Sequence, residues 1–290
     1  MTHIISSLAD ISDRYDALFC DLWGCVHNGV TAFDEAVRAM QAFRASGGVV
    51  MLVTNAPRPH APVRRQLAKI GVPENAFDGI ATSGDSARYA MFQGAVGSKV
   101  YFIGQPHDQS FFEPLTLVDN PTPIEQTPLD QAQGIVCCGP TDPHADPNDM
   151  RSDFLVAKAR GLKLLCANPD IVVDRGDRRE WCAGALAKLY TDMGGESLYF
   201  GKPHPPIYDL ARQRLLELGH NIPDSRILCV GDGIITDIYG AMGEDLDSLF
   251  ITGGLAAAET KTDYQPNPAA LDAYLSAQKA TATYSIGKLR

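Results

Sequence analysis

The sequence has 290 residues, of which 45% are hydrophobic, and a chain of this kind can bury the core of one large domain or two ordinary ones. Its formal net charge is −10, so its surface repels polyanions, and we expect neither nucleic acid nor an anionic membrane as a partner. No stretch approaches ~18 uninterrupted apolar residues, so no membrane span is predicted.

The cysteines and the amino terminus indicate in which cellular compartment the protein resides. Seven cysteines are scattered through apolar runs such as RILCVG, without a CxxC pair, which favours reduced, buried thiols. The first residues lack a basic region followed by an apolar core, so no secretory signal is predicted. We therefore expect a cytoplasmic protein.

Short apolar runs alternate with amphipathic segments along most of the chain, which is typical of βαβ units around a parallel sheet. The first predicted strand, ALFC, ends directly before Asp21. A helix is predicted from Asp34, its capping residue, to Arg44. The apolar run VVMLV then predicts a buried strand that leads into Thr54 and Asn55.

The middle of the chain contains a different kind of segment. IATSGD predicts a strand, a turn and a helix cap, and VYFIG, GIVCCG and LKLLCA predict three further strands, with a helix near 148–160 between the last two. The segment from about Gln105 to Asp149 is rich in Pro, Asp and Gln. We interpret it as part of an insertion with its own small sheet and mobile loops.

The last third returns to the first pattern. SLYFGK and RILCVGD flank a predicted helix, PIYDLARQRLLELG, and DSLFIT is the last strong strand. Polar side chains thus follow four predicted strands: Asp21, Thr54 with Asn55, Lys202, and Asp232. Ligands bind at the carboxyl edge of an open parallel sheet, so we expect these side chains to converge.

The types of these residues indicate a chemistry. Asp232 and Asp237, five positions apart, suit direct and indirect roles around a hard cation such as Mg²⁺, although they could equally form a turn and complement a helix dipole. Thr54 and Asn55 could cap a helix or hold phosphate oxygens. With Lys202 as fixed positive charge and Asp21 as nucleophile, the set contains what phosphoryl transfer needs.

Four motifs now stand in order along the chain: FCDLWG, VTNA, GKP and VGDGIITD. As a set they resemble the four motifs of the haloacid dehalogenase (HAD) superfamily. Within it the chain is similar to class IIA, the NagD-like and 4-nitrophenylphosphatase-like enzymes. The features that carry this closer similarity are Gly29, TNA at Thr54 to Ala56, TSGD at Thr82 to Asp85, ANPD at Ala167 to Asp170, and GKP at Gly201 to Pro203.

The resemblance implies a fold and a domain organisation. It implies an α/β protein with a Rossmann-like parallel-sheet core and a smaller α/β cap domain inserted between the second and third motifs. The core would comprise residues 1–83 and 198–290, and the cap residues 84–197. Caps of this type often dimerise in relatives, so a homodimer formed through the cap is expected.

The resemblance also implies roles for individual residues. Asp21 would be the nucleophile, and Lys202 would steady the charge. Mg²⁺ would be held by Asp21, the backbone carbonyl of Trp23 and Asp232, with Asp237 in support. The residues expected to face the substrate are Thr54, Asn55, Ala56, Asn168 and Asp170.

One position departs from the family pattern. Family phosphatases usually carry a second Asp two residues after the nucleophile, which protonates the leaving group and activates water, and here that residue is Trp23. Positioned acid/base catalysis is worth ~10²- to 10⁴-fold, so most of the rate enhancement could remain. His27 or His204, the histidines nearest the motifs, could substitute for the missing acid.

Two functions follow as hypotheses. The first is a Mg²⁺-dependent phosphatase that acts on a small phosphorylated metabolite through an aspartyl-phosphate and favours good leaving groups. The second is a catalytically weakened protein that binds a phosphorylated ligand as a sensor or regulatory partner.

Overall fold

The computed structural model describes residues 2–114, 120–175 and 178–290. The chain forms two compact units. The first comprises Met1–Thr54, Arg64–Ala81 and Lys202–Arg290, and the second comprises Asn55–Val63 and Thr82–Gly201. Part of the irregular segment predicted between Gln105 and Asp149, residues 115–119, lies outside the described residues.

A seven-stranded sheet, in the order β1-β14-β13-β12-β2-β3-β4, forms the centre of the first unit. Its strands are β1 (His3–Ile4), β2 (Ala17–Cys20), β3 (Val49–Thr54), β4 (Gly79–Thr82), β12 (Ile227–Gly231), β13 (Asp247–Ile251) and β14 (Tyr284–Ile286). The apolar strand β2 is completely buried and pairs in parallel with both β3 and β12. Continuous apolar runs are what a parallel sheet covered on both faces requires.

Helices accompany this sheet. They are α1 (Asp34–Ala45), α6 (Pro205–Glu217), α7 (Tyr239–Gly243) and α8 (Pro268–Ala277), while α2 (His60–Lys69) contains residues of both units. Helix α1 buries Ala36, Val37, Met40 and Phe43, as its apolar periodicity predicts. Phe33 occupies the capping position instead of Asp34, which lies in the first turn and complements the helix dipole there.

The second unit contains a five-stranded parallel sheet in the order β11-β8-β7-β5-β6. Its strands are β5 (Lys99–Ile103), β6 (Glu125–Gln126), β7 (Gly134–Cys137), β8 (Lys163–Cys166) and β11 (Glu196–Tyr199). Strands β9 (Val172–Arg175) and β10 (Arg178–Trp181) pair as an antiparallel hairpin. The helices are α3 (Ser83–Phe92), α4 (Arg151–Ala159) and α5 (Ala183–Asp192).

These sheets confirm the predicted α/β class, with a large parallel sheet and a second, smaller one. The exact residues that bound the cap, 84 and 197, stay a prediction. All seven cysteines are buried and free of disulfides, as their distribution predicts. Within the described residues, no helix is both long and apolar enough to cross a membrane.

Candidate active site

The carboxyl ends of β2 and β12 bring two predicted carboxylates together. The strands pair in parallel with Cys20 opposite Val230, so Asp21 and Asp232 follow at neighbouring strand ends. The backbone N–H of Asp21 continues the ladder by donating to the Val230 carbonyl at 2.8 Å. Both side chains are buried. The arrangement follows from the apolar strands, which place the first polar residue after each strand at the same edge.

Lys202 joins two carboxylates of the first unit. Its Nζ donates to Asp21 Oδ1 and, at 2.6 Å, to Asp237 Oδ1. The lysine is only 3% exposed. Burial disfavours its charged form, but the Asp21 and Asp237 carboxylates outweigh burial and raise the pKa of Lys202 well above its ordinary value. Lys202 is therefore a fixed positive charge at this edge of the sheet.

Asp237 is positioned by an unusual turn. Residues Ile234–Ile238 form a short π-helical turn in which the Ile238 N–H donates to the Gly233 carbonyl at 3.1 Å. The Gly233 N–H donates to Asp237 Oδ2 at 3.0 Å. A Cβ atom at Gly231 would lie 2.1 Å from Asp237 Cγ, so glycine is required for this close approach. Such turns recur at functional sites.

Asp232 lies between two glycines. A Cβ atom at Gly24 would lie 2.2 Å from Asp232 Oδ2, and one at Gly254 would lie 2.0 Å from the same oxygen. The Leu255 N–H donates to this oxygen at 3.1 Å. Burial, with the charges of Asp21 and Asp237, raises the pKa of Asp232 well above its ordinary value. The backbone thus encloses a carboxylate whose ionised form needs a compensating positive charge.

The charge balance of this cluster fits a divalent cation. Asp21, Asp232 and Asp237 supply three buried carboxylates, and Lys202 supplies one buried ammonium group. When all four are ionised, two negative charges remain without compensation by the lysine. Buried charges are stable only when they are paired or bound to a metal, and carboxylate oxygens are the ligands that Mg²⁺ prefers. These residues therefore have the charge and the donor atoms that a divalent cation requires.

Trp23 packs against the loop that follows it. Its ring meets the His27 ring edge-to-face, with centroids 5.3 Å apart. Gly29 has φ +84°, and a Cβ atom there would lie 2.5 Å from the Trp23 ring, so glycine permits both the left-handed backbone and the contact. The indole supports the loop and brings no carboxylate in place of the family's second Asp.

His27 does not have the properties of a proton donor at neutral pH. It is 3% exposed, and burial lowers its pKa from 6.5 to about 4. Its Nδ1 accepts the Gly29 N–H at 2.9 Å, so the neutral ring carries its proton on Nε2. Burial also lowers the pKa of His204. A neutral imidazole is a weak acid, which disfavours His27 as a substitute.

Other predicted residues cluster within the second unit. Asn55 Nδ2 donates to Asp170 Oδ1 at 2.8 Å, and the Asp170 N–H donates to Asn168 Oδ1 at 3.0 Å. The Ala56 carbonyl accepts the Gly84 N–H at 3.0 Å. Thus Asn55, Asn168 and Asp170 are brought together, whereas Thr54 ends β3 in the first unit.

Two groups of polar or ionisable side chains were not predicted from the sequence. The first is Cys25, whose thiol lies in one cluster with the carboxylates of Asp21 and Asp232, all ligand atoms within 4.8 Å of one another. Burial and these two carboxylates raise the pKa of Cys25 well above its ordinary value. Its position four residues after Asp21 was the available signal, but buried cysteines in apolar surroundings are usually core residues.

The second group is an ion pair in the second unit. His60 Nδ1 lies 2.8 Å from Asp85 Oδ2, and Arg88 Nη1 donates to Asp85 Oδ1 at 3.2 Å. Asp85 ends the TSGD stretch, whose Thr82 hydroxyl accepts the Asp85 N–H at 2.9 Å and so caps α3 as predicted. The capping role was readable from the sequence, and the pairing with His60 was not.

Comparison with known proteins identifies the family of this chain. A family model described as haloacid dehalogenase-like hydrolase matches residues 18–117, and one described as HAD-hydrolase-like matches residues 199–276. A crystal structure of a haloacid dehalogenase-like hydrolase from Brucella suis 1330 is 40% identical, covers 99% of this chain and 100% of its own, and has a TM-score of 0.85. The chain belongs to the haloacid dehalogenase-like hydrolase family. The family predicted from the motifs is confirmed.

More distant relatives carry names that specify an activity. The 5'-nucleotidase YutF of Bacillus subtilis is 24% identical over 259 residues, which are 88% of this chain and 93% of the relative. A glycerol phosphate phosphatase from Mycobacterium tuberculosis, solved in complex with magnesium, is 23% identical over 84% of this chain and 70% of its own, with a TM-score of 0.64. At this identity the solved structure shows the HAD-like fold alone.

Proposed function

We propose that the protein is a Mg²⁺-dependent phosphatase that hydrolyses a small phosphorylated metabolite through an aspartyl-phosphate on Asp21. The observation that carries the proposal is the pairing of buried Lys202 with Asp21 and Asp237 next to Asp232. This cluster combines a carboxylate nucleophile, a fixed cation and an excess of buried negative charge that suits a divalent metal. A nucleotidase and a glycerol phosphate phosphatase among the relatives support a phosphate ester as substrate class.

The proposed first step forms a bond between a carboxylate oxygen of Asp21 and phosphorus while the ester P–O bond breaks. The Lys202 ammonium group orients Asp21 through its hydrogen bond and offsets the negative charge that accumulates at phosphorus. When bound, Mg²⁺ would supply further neutralisation of the phosphate oxygens. Asp21, Asp232 and the Trp23 carbonyl would hold it, and Asp237 would support the site by fixing Lys202.

In the proposed second step water attacks phosphorus, and the bond to Asp21 breaks to release inorganic phosphate and the free carboxylate. Trp23 can neither protonate the leaving group nor take a proton from water. The leaving oxygen must then depart as an anion or be protonated by solvent, so the enzyme should favour substrates with low leaving-group pKa. Thr54, Asn55, Ala56, Asn168 and Asp170 remain the proposed substrate-facing residues.

A second candidate is a catalytically weakened protein that binds a phosphorylated ligand as a sensor or regulatory partner. The specific observation in its favour is Trp23, because its indole packs on Gly29 and His27 and leaves the acid/base position without an ionisable group. The other motif residues are all present in the sequence, which supports the first candidate, the enzyme.

Location and assembly belong to the same proposal. A cytoplasmic location is supported by seven buried, free cysteines, which are typical of a reducing compartment. A homodimer formed through the cap is proposed from the family resemblance. Neither nucleic acid nor membrane is proposed as a partner, because the formal net charge is −10.

The experiment that tests the proposed function is a panel of metabolite phosphates and aryl phosphates, assayed with and without Mg²⁺. Asp21→Asn is the inactivating variant, and Asp263→Asn, an exposed carboxylate of the same unit, is the matched control. If the protein is the proposed phosphatase, turnover should depend on Mg²⁺, be abolished in Asp21→Asn and be unchanged in Asp263→Asn. If the protein only binds a phosphorylated ligand, the ligand should stabilise it without any turnover.

A further inference from the structure

Cys25 places a sulfur atom beside the two carboxylates of the proposed cation site. Its Sγ and one oxygen each of Asp21 and Asp232 lie within 4.8 Å of one another. A single ion bound at ~2.0–2.2 Å from oxygen and ~2.3 Å from sulfur separates its oxygen and sulfur ligands by at most ~4.5 Å. The three atoms are therefore close to the spacing that one shared ion requires.

The backbone fixes this sulfur in place. Gly24, with φ +80°, turns the chain directly before Cys25, and the Val26 and His27 N–H groups both donate to the Leu22 carbonyl, at 2.8 and 3.1 Å. Cys25 is 1% exposed. The thiol is thus held in a tight turn next to the carboxylates.

The mixed donor set favours a particular class of cation. Carboxylate oxygens suit Mg²⁺, whereas a thiolate selects borderline and soft ions such as Zn²⁺, Co²⁺ and Cd²⁺. The addition of one sulfur increases affinity for the thiophilic ions and contributes little to the binding of Mg²⁺.

We propose that the cation site has a second binding mode, in which Cys25 joins Asp21 and Asp232 as a ligand. This mode binds thiophilic divalent ions such as Zn²⁺. Binding forms a metal–sulfur bond, and the thiol proton passes to solvent. Zn²⁺ in this mode competes with Mg²⁺ for the same carboxylates and blocks Asp21 as a nucleophile. The location of the site rests on the proposed function, whereas sulfur ligation can be measured independently of any activity.

The test is a titration with Co²⁺, whose bond to a thiolate produces a sulfur-to-metal charge-transfer absorption, followed by displacement with Zn²⁺. The variants are Cys25→Ser and Cys25→Ala, and the control is Cys138→Ser, a buried cysteine of the second unit. The parent and Cys138→Ser should give the absorption. Both Cys25 variants should lose it and bind Zn²⁺ at least about tenfold more weakly, because loss of a direct ligand should cost no less than loss of a residue that supports one, which typically costs ~10- to 100-fold.

X-ray absorption of the unaltered protein with one equivalent of Zn²⁺ keeps the test independent of how the variants fold. It should detect one sulfur at about 2.3 Å from zinc. Oxygen and nitrogen ligands alone, or an absorption that persists in both Cys25 variants, would overturn the proposal. Sulfur ligation without any Mg²⁺-dependent turnover would contradict the proposed phosphatase and leave the Cys25 site standing, and turnover without sulfur ligation would do the reverse.

Discussion

Lys202 supplies the positive charge of the candidate site. One buried ammonium group contacts both Asp21 and Asp237, so the proposed nucleophile and the carboxylate proposed to support it share a single positive charge. Asp232 has a raised pKa because burial and two neighbouring carboxylates oppose its ionisation. The same features that are unfavourable for the unliganded cluster make it suited to a divalent cation and an incoming phosphate.

At the residue scale, the first prediction concerns Trp23→Asp. This change places a carboxylate two residues after Asp21, the proposed nucleophile, where it can serve as the acid and base. We expect the ratio of kcat/KM for aryl over alkyl phosphates to fall by about 10²-fold or more, because general acid catalysis contributes most when the leaving group is poor. Steady-state kinetics on matched aryl and alkyl esters measures this ratio.

Trp23→Phe is the control for that prediction. It preserves an aromatic contact with His27 and Gly29 and adds no ionisable group, so the leaving-group preference should remain. An equal change of the ratio in both variants would show that loop packing, rather than the missing acid, determines the preference.

A second prediction concerns the pH dependence of stability through His27. Burial lowers the pKa of His27 from 6.5 to about 4. As the pH falls from 6.5 to 4, the His27 imidazole is therefore protonated in the unfolded chain while it stays neutral in the folded chain. The contribution of His27 to the free energy of unfolding is therefore fully present above about pH 6.5 and is lost as the pH falls toward 4. Between pH 7 and pH 5 the loss attributable to His27 is about 2 kcal/mol.

Denaturant unfolding of the parent and of His27→Asn at pH 7 and pH 5 measures this contribution. The Asn carboxamide oxygen can accept the Gly29 N–H that His27 Nδ1 accepts, and it does not titrate. We expect the acid-induced loss of stability to be about 2 kcal/mol smaller in the variant. Parallel losses in the two proteins would mean that His27 is not the acid-sensitive group.

At the scale of elements, the site depends on loops that approach Asp232 closely. Gly24 follows β2, and Gly254 follows β13; a Cβ atom at either would lie within 2.2 Å of Asp232 Oδ2. Parallel strands bring these loops to one edge, and the glycines allow the backbone to touch the carboxylate. The orientation of Asp232 is thus determined by three strand ends together.

The third prediction follows from that contact. Gly254→Ala must displace Asp232, so we expect the affinity for Mg²⁺ to fall by at least about tenfold, which is the effect of disturbing residues around a metal ligand. The matched control is Gly243→Ala in α7, because a Cβ atom there meets nothing within 4 Å. Mg²⁺-dependent thermal stabilisation measures the affinity. Equal Mg²⁺ dependence in both variants would contradict the role assigned to the Gly254 loop.

Some elements were predictable from local sequence, and others were not. The strands before Asp21 and Asp232 are continuous apolar runs, and the polar residue that follows each one indicates where the ligand edge lies. The π-helical turn that aims Asp237 has no such signal, because it depends on the close approach of Gly231. Cys25 was missed because a buried thiol is usually part of the core.

At the scale of the whole molecule, each unit is assembled from segments that are distant in sequence. The apolar pattern predicts a parallel sheet, an insertion with its own sheet, and a return to the first sheet. It does not predict that Asn55–Val63 belongs with the inserted residues. That grouping depends on polar contacts such as Asn55 with Asp170 and Gly84 with Ala56, which leave no periodic signal in the sequence.

The central claim is that Asp21 carries the phosphoryl group during turnover. Rapid-quench mass spectrometry of the protein with Mg²⁺ and an aryl phosphate tests it directly. Without an acid or base at Trp23 the aspartyl-phosphate should be hydrolysed slowly and accumulate, so we predict one phosphoryl group on the peptide that contains Asp21, and none in Asp21→Asn. Turnover without any phosphoryl group on Asp21, or with the group on another residue, would contradict the account.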